Sequence, residues 1–324
     1  MRKSVLLAAL VLASSALAAC QPAVAPPPPP AEPVSNIPPA PEGATPSVPD
    51  ILAKSTPEEW RSLDPENTLY MDFAPVNGSG GGRVIIELAP DFAPNHVANI
   101  KTLSREGYFA NGAVTRVQDN YVTQWAQAAD PERLPKQAQK TLKAEFTRPR
   151  DTTVGFDMLP DPDTYAPEVG FSNGFPAARD KSAMWLVHCY GVVGAGRDNS
   201  DDSGGGTELY AINGVPPRGL DRNLTVVGRV IQGMELLSAL PRGTEALGFY
   251  KTPAEYRRYA DIKVAADVPA DKRTDLEVLR TDSTTFSTLV NSRRWRKDDF
   301  YHIPAGRIGL CNINVPFRPK PKAP

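Results

Sequence analysis

The stretch Val114-Thr115-Arg116-Val117, followed closely by Tyr121-Val122-Thr123-Gln124, sets one arginine in an apolar strand pattern and follows it with an aromatic residue and a glutamine. Period-2 alternation predicts Val114 and Arg116 on one face of a strand, and Tyr121 and Thr123 on one face of the next. Two readings account for the arginine. It is an edge-strand charge paired to a surface acid, or a cationic fork aimed into an apolar groove.

Outward from this stretch, residues 69–73 and 83–88 read as strands joined by Asn77-Gly78-Ser79-Gly80-Gly81-Gly82. That glycine run lacks the Lys-Ser/Thr ending and following helix of a phosphate loop, so it reads as a hairpin tip. Residues 94–106 read as an amphipathic helix, with Val97, Ile100 and Leu103 at helical spacing. Residues 185–193 read as a buried strand. Many short strands with Gly/Pro turns and only two long helices argue for an antiparallel β-barrel, and the pattern alone does not separate a barrel from a sandwich.

Composition narrows the function classes. The chain has 324 residues, 41% of them hydrophobic, ample for one core. Lys+Arg of 36 against Asp+Glu of 37 leaves no basic footprint, so no nucleic-acid partner is expected. Three His and three Cys argue against a dedicated zinc cage. Asp198-Asn199-Ser200-Asp201-Asp202 invites a calcium reading, but no Glu closes a loop at EF-hand spacing, and a solvated loop is the expectation. No metal and no cofactor are expected.

The motifs, in their order and spacing, resemble a cyclophilin. Leu69-Tyr70-Met71-Asp72-Phe73 and Arg83-Val84-Ile85-Ile86-Glu87-Leu88 resemble that family's opening hairpin, and Ala93 to Ile100 its first helix. Gly107-Tyr108-Phe109, Gly112 and then Arg116 resemble the run that ends in its catalytic arginine. Thr207-Glu208-Leu209-Tyr210-Ala211-Ile212, Leu220-Asp221, Val226-Val227-Gly228-Arg229-Val230 and Gly233-Met234-Glu235 continue the match, and Ile262-Lys263-Val264 resembles the last strand. The resemblance is collinear over about residues 67–267. It implies a mainly β fold: a closed antiparallel eight-stranded β-barrel capped by two helices, here with a C-terminal extension.

The resemblance also implies an activity, peptidyl-prolyl cis-trans isomerisation of proline-containing polypeptides. A prolyl amide resists rotation by about 18–20 kcal/mol because its nitrogen shares a lone pair with the carbonyl. In the twisted state that lone pair is localised and accepts a hydrogen bond, so a guanidinium donating to it favours the transition state. The family match gives that role to Arg116. By the same resemblance Tyr121, Val122, Tyr210 and Leu220 line an apolar slot for the proline ring. Gln124 would bond the substrate backbone and steady Arg116, while Gly196 and Glu208 would flank the preceding residue. Glu208 stands where the family has Gln, Thr115 and Leu224 where it often has His, and Trp125-Ala126-Gln127 replaces Gly-Gly-Asp. Residues 126–184 form a long polar, Pro-rich insertion, expected to be an extended surface loop.

The N-terminus carries its own signals. Arg2-Lys3 and the apolar run 5–12 read as a signal peptide, residues 1–19, too short to span a bilayer. Leu17-Ala18-Ala19-Cys20 resembles the bacterial lipobox, which implies cleavage before Cys20 and lipidation of its thiol; an ordinary signal peptide with an incidental Cys is the other reading. Gln21 after the cysteine favours the outer membrane, facing the periplasm, by resemblance to lipoprotein sorting. Residues 20–50 hold many of the 34 prolines and read as a polyproline II tether, reaching on the order of 80 Å at about 3.1 Å per residue. Residues 55–61 read as a short helix.

A cyclophilin-like domain is therefore expected over 51–268, and an extension over 269–324 packed on or near the barrel. Within that extension 274–279 and 284–296 read as short helices and 308–313 as a strand. With Cys20 lipidated, Cys189 and Cys311 remain, either as a disulfide in an oxidising compartment or as two buried thiols. The expected whole is a monomeric, membrane-anchored isomerase assisting the folding of envelope proteins. A non-catalytic peptide-binding or scaffolding lipoprotein on the same frame is the alternative, and a murein-associated structural protein a third reading.

Overall fold

A computed structural model describes residues 43–76, 80–128, 130 and 132–321. The expected signal peptide, Cys20 and the tether as far as residue 42 lie outside these residues. No helix among the described residues is long and apolar enough to cross a membrane.

Nine antiparallel strands form the main sheet, in the order Arg257–Arg258, Ala113–Gln118, Val122–Ala126, Glu208–Ile212, Val192–Ala195, Val226–Gln232, Gly82–Leu88, Thr68–Phe73 and Ile262–Val264. The sheet curls round an apolar centre to which Leu69, Met71, Ile86, Val114, Val117 and Trp125 contribute. This corrects the expectation of a closed eight-stranded barrel. The sheet has nine strands, and no ladder joins its end strands among the described residues. Those two end strands are consecutive in the chain, separated only by residues 259–261.

Helix Pro94–Arg105 lies against this core through Val97, Ile100 and Leu103. Its N-cap, Ala93, has no side-chain acceptor. Glu145 of the insertion supplies one, accepting the backbone N–H groups of Asn95 at 3.1 Å and His96 at 2.9 Å and meeting the His96 ring at 2.7 Å. A carboxylate there answers both the orphan donors and the positive end of the helix dipole. The second expected capping helix is short, Met234–Ser238.

The insertion is not a loop. It builds a five-stranded antiparallel sheet in the order Arg148–Pro149, Ala183–Leu186, Phe175–Arg179, Glu168–Ser172 and Asp157–Met158. Segments before and after the main sheet build a separate three-stranded sheet. Strand Trp60–Ser62 pairs with Leu276–Leu279, which pairs with Phe317–Pro319. Residues 274–279, expected as a helix, thus contain the central strand of a three-stranded sheet, because all four residues of Leu276–Leu279 are buried between neighbours. Residues 55–61 make a 3-10 turn, Pro57–Glu59, and then enter that sheet. Residues 308–313, expected as a strand, contain the 3-10 turn Leu310–Asn312.

Helix Thr284–Arg294 is capped by the Ser283 hydroxyl. It sets Phe286 edge-on to Phe171 of the insertion at 5.2 Å. At its end Arg294 donates to both carboxylate oxygens of Asp161, at 2.7 and 3.0 Å, each side chain 1% exposed. A pair this dry makes tail and insertion interdependent, since removing one partner strands the other charge at a cost of about 3–5 kcal/mol. Cys189, just after the insertion, is bonded to Cys311 of the tail, S–S 1.98 Å.

Candidate active site

Arg116 does not share a face with Val114. A β-bulge between the two, where Ala113–Gln118 pairs with Val122–Ala126, inserts Thr115 as an extra residue. The result is that Val114 and Val117 both enter the core while Arg116 turns outward into a groove. Bulges recur beside active sites because they re-aim one side chain without breaking the sheet. On the next strand Val122 and Gln124 face the groove and Trp125 is interior. Tyr121 reaches the groove from the turn before that strand, so it joins Val122 and Gln124 rather than the fully buried Thr123.

The groove encloses about 410 Å³. Arg116, Tyr121, Val122, Gln124, Gly196, Glu208, Tyr210 and Leu220 all line it, which brings the eight groove residues named from the sequence to one place. Arg116 donates from Nε to the Leu247 carbonyl at 2.7 Å and from Nη1 to Gln124 Oε1 at 2.9 Å, and from Nη2 to Gln118 Oε1. These three partners are neutral acceptors. A guanidinium has five N–H donors, so one on each Nη remains for a ligand. Burial lowers its pKa from the ordinary value, against the opposing pull of Tyr121 and Glu208, and an arginine so placed stays charged at neutral pH.

Gln124 is fixed at both ends, because its Nε2 donates to Glu208 Oε2 at 2.6 Å. Glu208 therefore shares Gln124 with Arg116 as a hydrogen-bond partner, and otherwise acts on the guanidinium through its charge. Tyr210 forms the floor. Its hydroxyl bonds His188 Nε2 at 3.0 Å, and burial pushes its pKa far above the ordinary phenol value. The residue opposite it across the ladder is Gly194, where a Cβ would lie 2.2 Å from the Tyr210 hydroxyl oxygen. The same Cβ would lie 2.3 and 2.8 Å from two carbons of the ring, so only glycine leaves room there for the aromatic ring and its hydroxyl.

The sequence reading missed the outer wall. Leu247 and Phe249 line the groove from the segment between Met234–Ser238 and Arg257–Arg258. Phe249 bridges to Arg116 in backbone register and sets its ring 5.3 Å from the guanidinium carbon. The only signal was the apolar run Leu247-Gly248-Phe249-Tyr250 in a polar loop. Leu224, noted in the sequence only as replacing a histidine, also lines the groove.

Known proteins resemble this chain. Residues 73–262 match the model of the family described as Cyclophilin type peptidyl-prolyl cis-trans isomerase/CLD. The probable peptidyl-prolyl cis-trans isomerase of Brucella suis biovar 1 (strain 1330) is 29% identical over 185 residues, 57% of this chain and 76% of that protein. That of Brucella abortus (strain 2308) is 28% identical over the same extent. The crystal structure of cyclophilin AquaCyp293 from Hirschia baltica is similar over 76% of this chain and 90% of that chain, with 28% identity and a TM-score of 0.61.

A curled antiparallel sheet matched in this way defines a prolyl isomerase of the cyclophilin type. The family match spans more than half of the chain, and the chain belongs to the cyclophilin-type peptidyl-prolyl cis-trans isomerase family.

Proposed function

We propose that the groove turns X-Pro bonds by Arg116 donating to the prolyl nitrogen as its lone pair localises. The observation that carries this is the guanidinium held on three neutral acceptors with an N–H left on each Nη, above the apolar floor of Val122, Tyr210 and Leu220. Donors already fixed in place need no reorganisation as charge develops, and act more strongly in a partly desolvated groove. The proline ring would fill the slot so that only one side of the bond turns. Gln124 and Gly196 would take the substrate backbone.

The setting proposed for this activity is the periplasmic face of the outer membrane. Support comes from the lipobox-like Leu17-Ala18-Ala19-Cys20, Gln21 and the Pro-rich run that follows. The substrates would be envelope proteins passing the anchored, monomeric domain. The test of the chemistry is prolyl exchange in short X-Pro peptides, wild type beside Arg116→Ala. Loss of most acceleration with an unchanged melting curve supports the assignment; an Arg116→Ala enzyme as fast as wild type sinks it. A labelled fatty acid that fails to appear on Cys20 sinks the anchor separately.

A further inference from the structure

Asp163 belongs to the insertion and does not line the groove, yet it ends a polar chain that begins at the groove floor. From the Tyr210 hydroxyl the chain passes to His188 Nε2 at 3.0 Å, and from His188 Nδ1 to Asp221 Oδ1 at 3.0 Å. A carboxylate oxygen only accepts, so Nδ1 carries a proton, and in the neutral ring Nε2 then accepts from the Tyr210 hydroxyl. The other oxygen of Asp221 accepts Arg218 Nε at 2.6 Å. Arg218 then donates from both Nη atoms to the two oxygens of Asp163, at 2.8 and 2.9 Å. The side chains of Asp163, Arg218 and Asp221 are 11%, 7% and 6% exposed, and His188 is fully buried. Arg218 also opens the 3-10 turn Arg218–Leu220, whose last residue is a wall of the slot.

We infer that Asp163 is a positioning residue for the prolyl slot. Its bidentate grip on Arg218 fixes two walls at once: Leu220 through the shared turn, and the ring of Tyr210 through Asp221 and His188. The insertion thereby sets the width of the slot without touching the substrate. The inference rests on reading this groove as the one that binds proline. It assigns the insertion to ground-state fit, and leaves unchanged the arginine donors, which are held by Leu247, Gln124 and Gln118 outside this polar chain.

The test is steady-state prolyl isomerisation by the full chain carrying Asp163→Asn, Asp163→Glu or Arg218→Lys, with KM and kcat resolved by varying an Ala-Pro peptide. Asn keeps the size and loses the charge-assisted fork, while Arg218 keeps Asp221, so no buried charge is left alone. The expected result is a KM raised about tenfold with kcat within about twofold, the pattern of lost uniform binding, and recovery of much of the KM in Asp163→Glu. Arg218→Lys, which lacks the planar fork, should resemble Asp163→Asn. An unchanged KM in Asp163→Asn overturns the inference. So does a fall in kcat that tracks a lower melting temperature and is not recovered by Glu, which would assign Asp163 to stability alone. A wild type that does not take up the Ala-Pro peptide at this groove, read by chemical-shift changes at Val122 and Tyr210, refutes the proline-slot reading instead.

Discussion

Gln124 stands between Arg116 and Glu208, accepting from the first at 2.9 Å and donating to the second at 2.6 Å. The carboxylate thus chooses which way the amide faces. An acceptor-only oxygen on Glu208 demands the NH2 end, which leaves the carbonyl end for the arginine. The same carboxylate also damps the positive potential of the groove. Glu208→Gln removes the charge and can keep the amide orientation. It is expected to raise kcat/KM about two- to threefold at low salt, as a single charge acting through a high-dielectric surface would, with the gain shrinking as salt rises. A rate that falls instead would mean that the charge itself holds Gln124 in place.

Arg116 spends its three engaged donors in three directions, toward Leu247, Gln124 and Gln118. Lysine has a point charge on a flexible stem and cannot hold that geometry while offering two further N–H groups. Arg116→Lys is therefore expected to lose about 10²–10³ in kcat, comparable to losing one preorganised donor in other enzymes. Exchange spectroscopy on an X-Pro peptide measures it, and near wild-type activity would show that charge alone suffices.

Gly194 is the steric partner of Tyr210. Gly194→Ala forces the phenol off its position and away from His188, which an unstrained backbone cannot absorb. A loss of about 1–3 kcal/mol in unfolding free energy is expected from overpacking, together with weaker binding of Ala-Pro peptides. Gly194→Ala combined with Tyr210→Phe should recover little of the stability, because the added Cβ would still meet two ring carbons at 2.3 and 2.8 Å. Chemical denaturation of the two variants decides it.

Glu145 ties helix Pro94–Arg105 to the insertion. Burial alone would push its carboxyl up, but the His96 ring and the N–H groups of His96 and Asn95 outweigh this and hold its pKa below the ordinary carboxylate value. A depressed folded-state pKa contributes stability above the unfolded-state value of about 4.3, and that contribution is lost as pH falls through the folded-state value. Melting temperatures of wild type and Glu145→Gln should differ at pH 7, with the gap narrowing as pH falls below the unfolded-state value of about 4.3. A gap that persists undiminished at pH 3 would remove the carboxylate from this role.

Much of the site was legible because its residues are close in sequence or carried by a family-like order: Arg116, Tyr121, Val122 and Gln124 fall within nine positions, and Tyr210 and Leu220 follow collinearly. Simple alternation failed at Arg116, since period-2 reasoning cannot see the bulge that turns it. Leu247 and Phe249 were invisible because they are set by backbone pairing with a strand about 130 residues away. The insertion read as a loop because its strands are two to five residues long and interrupted by proline. They also pack on long-range partners such as Arg294 and Phe286, which no local pattern encodes. Leu276–Leu279 was misread because a short, fully buried apolar run fits a helix or a strand equally well.

The bond between Cys189 and Cys311 closes a covalent circuit whose ends lie 122 positions apart. Gly196, Glu208, Tyr210, Leu220, Leu247 and Phe249 all fall on the chain between those ends. A pull on the C-terminal tail is therefore delivered across the sulfur bridge to Cys189, and bypasses the groove residues between the two cysteines. A peptidase that nicks the exposed loop at Leu247 would likewise leave both fragments fastened. The bridge takes one side of the groove out of the line of tension and keeps a nicked chain in one piece, while Arg116, Tyr121, Val122 and Gln124 stay on the loaded side.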